Sequence, residues 1–116
     1  MIVCAIDDLI FSIKVSTAAK SLKADVYFER SGDKLLETIR DKRPSLVIFD
    51  LNSGRLRPLE AIASLKTDPE LRATRTLGYV SHVDSATIEA ARAAGVDQVM
   101  ARSAFVNQLG EILTSA

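Results

Sequence analysis

The sequence predicts an α/β domain in which a parallel sheet carries helices on both faces. Five short apolar runs have the length and the β-branched or aromatic content of buried strands. Amphipathic segments with helical spacing lie between these runs, so strand and helix patterns alternate along the chain. Its 116 residues are enough to build one hydrophobic core. We therefore expect residues 1–116 to form a single domain.

The first three strand–helix pairs follow from apolar periodicity. The runs IVCAI, DVYF and LVIF, at residues 2–6, 25–28 and 46–49, predict three strands. Apolar side chains at intervals of three and four residues predict a helix after each strand, because such side chains share one helical face. These positions are Phe11, Val15, Ala18 and Leu22 in the first helix, Leu35, Leu36 and Ile39 in the second, and Leu59, Ile62 and Leu65 in the third.

The second half of the chain continues the alternation. The runs TLGYV and DQVM, at residues 76–80 and 97–100, predict two more strands. Asp84 and Ser85 are N-cap candidates for a fourth helix, and Gly95 is the residue type that ends helices in a left-handed conformation. The inward positions of this helix predict either weak attachment or close packing on the sheet. They are Ile88, Ala91 and Ala94, and a fifth helix from about Ser103 presents Phe105, Leu109, Ile112 and Leu113 on one face.

Composition excludes several classes of protein. The formal net charge is zero, which argues against nucleic acid or an anionic membrane as a partner of the domain. A single cysteine, Cys4, allows neither an internal disulfide nor a multi-cysteine zinc site, and its apolar neighbours indicate a buried position. The opening apolar run is too short for a signal peptide, and no window approaches the roughly 20 apolar residues of a membrane span. We expect a cytoplasmic protein.

Polar side chains follow four of the five predicted strands. Asp7 and Asp8 end the first strand, Asp50 the third, Ser81 follows the fourth and Arg102 the fifth. In an open α/β sheet the carboxyl ends of the strands border the ligand-binding crevice, so these groups should face one another. Clustered carboxylates raise one another's pKa unless a cation joins them, and Mg²⁺ suits oxygen ligands. The cluster therefore predicts a divalent metal and phosphate site.

Four motifs together resemble the receiver domain of two-component response regulators, across essentially the whole chain. They are the acidic pair in AIDDL, the aspartate in VIFDL, the hydroxyl in GYVSH and the segment AAGVDQVMARSAF. The resemblance implies a flavodoxin-like sheet of order 2-1-3-4-5 with five helices. It also implies phosphorelay signalling in which protein–protein binding is switched, without enzymatic activity beyond Mg²⁺-dependent phosphorylation and dephosphorylation of the chain itself.

The resemblance also implies roles for individual residues and partners. Asp50 would be the phosphoacceptor, and the Mg²⁺ ligands would be Asp7, Asp8, Asp50 and the backbone carbonyl of Asn52. Ser81 would donate a hydrogen bond to the phosphoryl group, and the cation after the fifth strand would contact it. A sensor histidine kinase or phosphotransfer protein would supply the phosphate. The face formed by helix four, strand five and helix five would bind a downstream protein or a second copy of the chain.

The sequence departs from the family's pattern close to these residues. Arg102 replaces the usual lysine, Ser103 the usual proline, and Val99 the aromatic residue that often serves as a switch. The loop SGRLRP replaces the familiar Met-Pro and Asp-Gly pairs. His82 replaces a small residue, and we expect either a surface histidine or one that crowds the entrance to Asp50. Tyr79, in the fourth strand, is predicted to pack in the core.

These departures leave three functions open. The first is the phosphorylated receiver, and the second is a degenerate receiver that binds proteins or dimerises without phosphate. Arg102 bears on this choice, because arginine can grip the Asp50 carboxylate bidentately or extend into solvent. The third is an enzyme of the haloacid dehalogenase type, suggested by FDLN. Asn52 disfavours it, since an amide cannot replace that family's second, acid–base carboxylate.

Overall fold

The computed structural model describes residues 1–82 and 84–116, and these contain five strands and six helices. All strands are parallel and lie in the order β2-β1-β3-β4-β5, which confirms the predicted flavodoxin-like fold. The strands are β1 (Ile2–Ala5), β2 (Val26–Phe28), β3 (Leu46–Asp50), β4 (Arg75–Val80) and β5 (Gln98–Ala101). The helices are α1 (Leu9–Leu22), α2 (Leu35–Lys42), α3 (Pro58–Thr67), α4 (Ser85–Ala94), α5 (Arg102–Asn107) and α6 (Leu109–Ser115).

The expectation of five helices is wrong at the end of the chain. The segment predicted as one last helix divides into α5 and α6 at Gln108, whose φ of −104° and ψ of 8° are not helical. Gly110, a poor helix former, lies in the first turn of α6, two residues after the interruption. In the described ranges 1–82 and 84–116, no helix combines the length and apolarity needed to cross a bilayer.

Two hydrophobic cores lie on opposite faces of the sheet. One lies beneath α2, α3 and α4, and the other beneath α1, α5 and α6. Side chains of β3 alternate between them: Val47 and Phe49 join the first core, while Leu46 and Ile48 join the second. Asp50 follows Ile48 by two residues, so this alternation directs its side chain to the α1 face.

Side-chain caps begin two of the helices, and those at the ends of α4 are the predicted ones. Asp8 is the N-cap of α1, and its Oδ1 accepts a hydrogen bond of 3.0 Å from the backbone N–H of Phe11. Asp84 caps α4 in the same way, and Gly95 ends that helix at a φ of 106°. The cap of α1 fixes the Asp8 carboxylate at the carboxyl edge of the sheet.

Cys4 is completely buried in β1, as its apolar neighbours predicted. Burial raises the pKa of its thiol to about 12. The thiol therefore remains protonated and unreactive near neutral pH, because the thiolate is the nucleophile.

Candidate functional site

The structure gathers the predicted polar residues at the carboxyl edge of the sheet. Asp50 ends β3 and is only 9% exposed, while Asp7 and Asp8 lie between β1 and α1 and are less deeply covered. Ser81 follows β4 directly and is exposed, and Arg102 follows β5 directly. These five groups come from four loops that the parallel sheet brings to one edge.

Asp50 carries a charge that its surroundings compensate poorly. Its Oδ1 accepts one hydrogen bond, of 3.0 Å, from the backbone N–H of Asn52. Burial raises the pKa of Asp50; the Asn52 hydrogen bond and Arg102 oppose this, while the charges of Asp7 and Asp8 reinforce it. In the described ranges 1–82 and 84–116, no lysine or arginine forms an ion pair with its carboxylate. The net direction is upward, so a bound cation would stabilise the charged form of this carboxylate.

Arg102 adopts neither of the two positions considered from the sequence. Its Nη2 lies 3.5 Å from Oδ2 of Asp8, and its Nη1 donates to Oγ of Ser81 at 3.5 Å. The guanidinium carbon lies 4.0 Å from the ring centroid of Phe11, a cation–π contact that holds the guanidinium against α1. Arg102 thus bridges the predicted metal ligand and the predicted phosphate-binding hydroxyl without pairing with Asp50.

Asp7 has a looser cationic partner. Nε of Arg55 lies 4.0 Å from its Oδ2, and the Arg55 side chain is 76% exposed. An ion pair so long and so exposed contributes little free energy. Two of the three carboxylates therefore have a guanidinium beside them, and Asp50 does not.

Asn52 has a role that the sequence did not predict. Its side-chain Oδ1 accepts a hydrogen bond of 2.7 Å from the backbone N–H of Ser81. A second bond, from the backbone N–H of Leu51 to the carbonyl of Tyr79, continues this link between the chains leaving β3 and β4. Asparagine at the end of a buried strand is a signal for such bonding, since its side chain often binds nearby backbone groups. The link fixes Ser81 relative to Asp50.

An aromatic cluster supports the site from below. Tyr79, opposite Asp50 in the strand register, is fully buried, as predicted for a core residue. Its ring stacks on Phe105 with centroids 4.9 Å apart and lies 5.1 Å from Phe11. Burial and the nearby Asp50 charge raise the pKa of Tyr79, so its hydroxyl remains protonated.

Val99 and His82 lie at the margins of this arrangement. Val99 is half-buried and packs against the core beneath α3 and α4, the face opposite to that of Asp50. His82 is exposed directly after Ser81, as expected of a surface histidine. The crowding of Asp50 by His82 stays a prediction.

The predicted metal ligands are not arranged as a preformed coordination site. Among residues 1–82 and 84–116, no three histidine, cysteine, aspartate or glutamate side chains are grouped as metal ligands. Asp7, Asp8 and Asp50 lie close enough for the first two to raise the pKa of the third. The donors available are oxygens, the ligands that Mg²⁺ prefers, and the loose contacts of Arg55 and Arg102 are ones that an incoming cation can displace.

Comparison with known proteins identifies the fold. No protein-family model and no curated protein sequence matches the chain. The structure is similar to the phosphorylated cyanobacterial phytochrome response regulator RcpA, with a TM-score of 0.82, 21% identity, and coverage of 98% of this chain and 88% of that one. It is also similar to the Mn²⁺-bound response regulator Rcp1, with a TM-score of 0.81, 17% identity, and coverage of 96% of this chain and 89% of that one. For a response regulator from Hahella chejuensis the TM-score is 0.86 and the identity 15%, and the match covers 97% of this chain and 91% of that one. At such identities the likeness establishes a receiver-type fold.

Proposed function

We propose that this chain is a two-component signal receiver whose Asp50 accepts a phosphoryl group from a histidine kinase or phosphotransfer protein. The observation that carries the proposal is the state of Asp50. Its carboxylate lies at the ligand-binding edge of the sheet, has no ion-pair partner among the described residues, and has a pKa raised by burial and by two neighbouring acids. A structural carboxylate in such a place would be expected to have a cation.

Phosphoryl transfer requires a carboxylate nucleophile and, beside it, hydrogen-bond donors held in place for the phosphoryl oxygens. An oxygen of Asp50 attacks phosphorus, the bond between phosphorus and the donor histidine nitrogen breaks, and that nitrogen keeps the electron pair and takes up a proton. The hydrogen bond from Asn52 to Oδ1 orients the carboxylate, which leaves Oδ2 available for the attack. Ser81, fixed by its backbone bond to Asn52, presents a hydroxyl that can donate to the new phosphoryl oxygens.

Mg²⁺ is the cofactor that fits this edge. Asp7, Asp8, Asp50 and the carbonyl of Asn52 would hold it, and it would neutralise charge that develops on the phosphoryl group. The assignment is supported by the Asp50 carboxyl, whose pKa is raised by burial and by the charges of Asp7 and Asp8. Of the similar structures, one is of a phosphorylated response regulator and one of a Mn²⁺-bound response regulator, which supports the same interpretation.

The phosphodonor has an apolar surface beside Asp8 on which to bind. Leu9, Ile10 and Ile13, in the first turns of α1, are 65%, 83% and 64% exposed. Large apolar side chains that cluster in solvent mark interaction sites. A kinase or phosphotransfer helix that packed there would bring its histidine to the carboxyl edge of the sheet.

The output surface is proposed on the face of α4, β5 and α5. Only Ala91 of α4 is fully buried, while Ile88 and Ala94 are half-covered, so this helix is held by little apolar area. Arg102 begins α5 and contacts Ser81, which connects the site to that face. Phosphate at Asp50 would draw Arg102 from Asp8 and change the face that binds a downstream protein or a second copy of the chain.

The proposal is tested with a small phosphodonor such as acetyl phosphate. Wild-type protein incubated with the donor and Mg²⁺ should gain the mass of one phosphoryl group in intact-mass spectrometry. Asp50→Asn should gain nothing, and the matched control Asp41→Asn, a change at an exposed aspartate, should react as the wild type does. No adduct on the wild type, or an adduct that persists in Asp50→Asn, would contradict the proposal.

One observation favours a second function, a degenerate receiver that binds proteins without phosphate. Arg102 already contacts both Asp8 and Ser81, which the first proposal needs for metal and phosphate. A guanidinium held there engages both groups in the absence of metal and phosphate. On this alternative, Asp50→Asn leaves partner binding or dimerisation unchanged, and a large loss of binding in that variant would exclude it.

A further inference from the structure

We infer that a pocket lined by three arginines, beside the acidic edge, binds a small molecule that carries a phosphomonoester group. The pocket has a volume of about 390 Å³ and lies between the loop that follows β2 and the loop that follows β3. Its lining residues are Arg30, Ser31, Gly32, Asp33, Arg55 and Arg57. The inference does not depend on phosphotransfer at Asp50.

The close approach of the two loops shapes the pocket. A Cβ on Gly32 would lie 2.8 Å from the carbonyl oxygen of Arg55 and 3.2 Å from Nη2 of Arg57. The first distance is far too short for a side chain against backbone, so only glycine allows the loops to pack at this separation. Gly32 thus lies where the loop after β2 comes closest to the backbone of Arg55 and the side chain of Arg57.

The lining carries a marked excess of positive charge. The lining contains three arginines and a single acidic residue, Asp33, whose side chain is 85% exposed and forms an ion pair with Arg57. Arg30 lies over the ring of Phe28 with its guanidinium carbon 5.4 Å from the centroid, and the long contact of Arg55 with Asp7 holds it weakly. Each guanidinium has five N–H donors, so donors remain after these contacts.

The chemistry of the lining selects the ligand. Planar guanidinium forks bind phosphate oxygens bidentately, and several arginines around one cavity match the double charge of a phosphomonoester. Nucleic acid is disfavoured, because the formal net charge of the chain is zero and this positive region is confined to one pocket. The volume lies at the small end of the range of about 300–1,000 Å³ for small-molecule sites.

Arg55 connects this pocket to the acidic edge. Its side chain lines the pocket and also forms the 4.0 Å contact with Asp7. A bound phosphate would draw Arg55 toward the pocket and remove the cation beside Asp7. With the pocket occupied, the Asp7 carboxylate would no longer have a guanidinium beside it. The ligand would therefore tighten metal binding at the acidic edge.

Calorimetric titration of metal-free protein tests the inference at constant ionic strength. Inorganic phosphate and ribose 5-phosphate should each bind saturably to the wild type, and ribose 5-phosphate at least as tightly. Arg30→Ala and Arg57→Ala should each weaken binding about tenfold through loss of a charged fork. The matched control Arg43→Ala, which removes an arginine paired with Glu70 away from the pocket, should bind as the wild type does.

Several results would overturn the inference. They are the absence of saturable binding, equal weakening in Arg43→Ala, and weaker binding of ribose 5-phosphate than of phosphate. Arg30 belongs to none of the ion pairs found in residues 1–82 and 84–116, so Arg30→Ala should fold normally even if Arg57→Ala does not. Far-UV circular dichroism of each variant checks this. Loss of phosphorylation at Asp50 would leave the titration unchanged, so failure of the two proposals can be distinguished.

Discussion

Two aspartates at opposite edges of the same sheet have contrasting surroundings. Asp97 lies at the amino-terminal edge, and its Oδ2 accepts hydrogen bonds from Nζ of Lys66, from the backbone N–H of Thr76 and from the Thr76 hydroxyl, at 2.8, 2.8 and 2.9 Å. The side chain of Asp50, at the carboxyl edge, accepts a single bond among the described residues, from Asn52. One edge has a carboxylate with its donors in place, and the other has a carboxylate that lacks them.

The two carboxyl groups consequently shift in opposite directions. Burial alone would raise the pKa of Asp97, but the bonds from Lys66 and Thr76 outweigh it, and its pKa is lowered. Burial raises the pKa of Asp50, and its single hydrogen bond and the Arg102 charge do not overcome burial and the two neighbouring acids. The contrast distinguishes a carboxylate that stabilises the fold from one that is available to a ligand.

The largest effect is expected at the compensated edge. Asp97→Ala should lower the free energy of unfolding by about 3 kcal/mol, because it leaves the buried N–H and hydroxyl of Thr76 without their acceptor, while Lys66 keeps the carbonyls of Arg72 and Thr74. Urea denaturation at pH 7 measures this loss. Asp41→Ala, a change at an exposed aspartate, is the control and should have little effect. A loss as small as in the control would show that the Asp97 network contributes nothing.

A divalent cation should stabilise the protein by binding at the carboxyl edge, beside Asp50. Mn²⁺ or Mg²⁺ at one hundred times its dissociation constant should raise the free energy of unfolding by about 2.7 kcal/mol, because it binds the folded state. Thermal unfolding with and without the metal measures the gain. Asp50→Asn and Asp7→Asn should lose most of it, while Asp41→Ala should keep it. Equal stabilisation of Asp50→Asn would place the metal elsewhere.

Removal of the Asp50 charge should stabilise the metal-free protein. At pH 7, Asp50→Asn should gain about 1 kcal/mol, the ordinary size of a single-residue effect. A carboxyl whose folded pKa exceeds its unfolded value of about 3.9 destabilises the fold above that folded pKa. The gain should therefore shrink as the pH falls through the folded pKa toward the unfolded one. Urea denaturation from pH 7 to pH 4 checks the sign, and a variant less stable than the wild type at pH 7 would contradict it.

The smallest effect on stability is expected at Arg102. Arg102→Ala removes an ion pair of 3.5 Å and the contact with Phe11, and should change the free energy of unfolding by less than about 1 kcal/mol. Metal binding should tighten about threefold, since Asp8 no longer has a competing guanidinium. Calorimetric titration with Mn²⁺ measures this change. Weaker metal binding in the variant would show that Arg102 supports the metal site.

The sequence predicted those features of the fold that depend on local pattern. The apolar run before Asp50 predicted a buried β3, Asp84 and Gly95 marked the ends of α4, and parallel strands brought the acids to one edge. The break at Gln108 was missed because the apolar residues of α5 and α6 form one continuous face. That pattern predicts a single helix and gives no signal of an interruption at one residue.

The fine structure of the site was less accessible from the sequence. The position of Arg102 depends on Phe11, a residue of another element whose ring offers a surface for the guanidinium. Long side chains choose among many rotamers, and only the packed neighbours decide between them. The bond from Ser81 to Asn52 and the contact of Arg55 with Asp7 have the same origin, since each joins segments far apart in the chain.

The contrast between the two edges is tested most directly by the titration of both carboxyl groups in one sample. Carbon-13 NMR of the side-chain carboxyls of Asp50 and Asp97, followed from pH 7 to pH 2, gives the two pKa values without a mutation. Asp50 should titrate above the ordinary aspartate value of about 3.9 and Asp97 below it, and Mg²⁺ should lower the pKa of Asp50 alone. An Asp50 that titrates at or below Asp97, or that does not respond to Mg²⁺, would contradict the account.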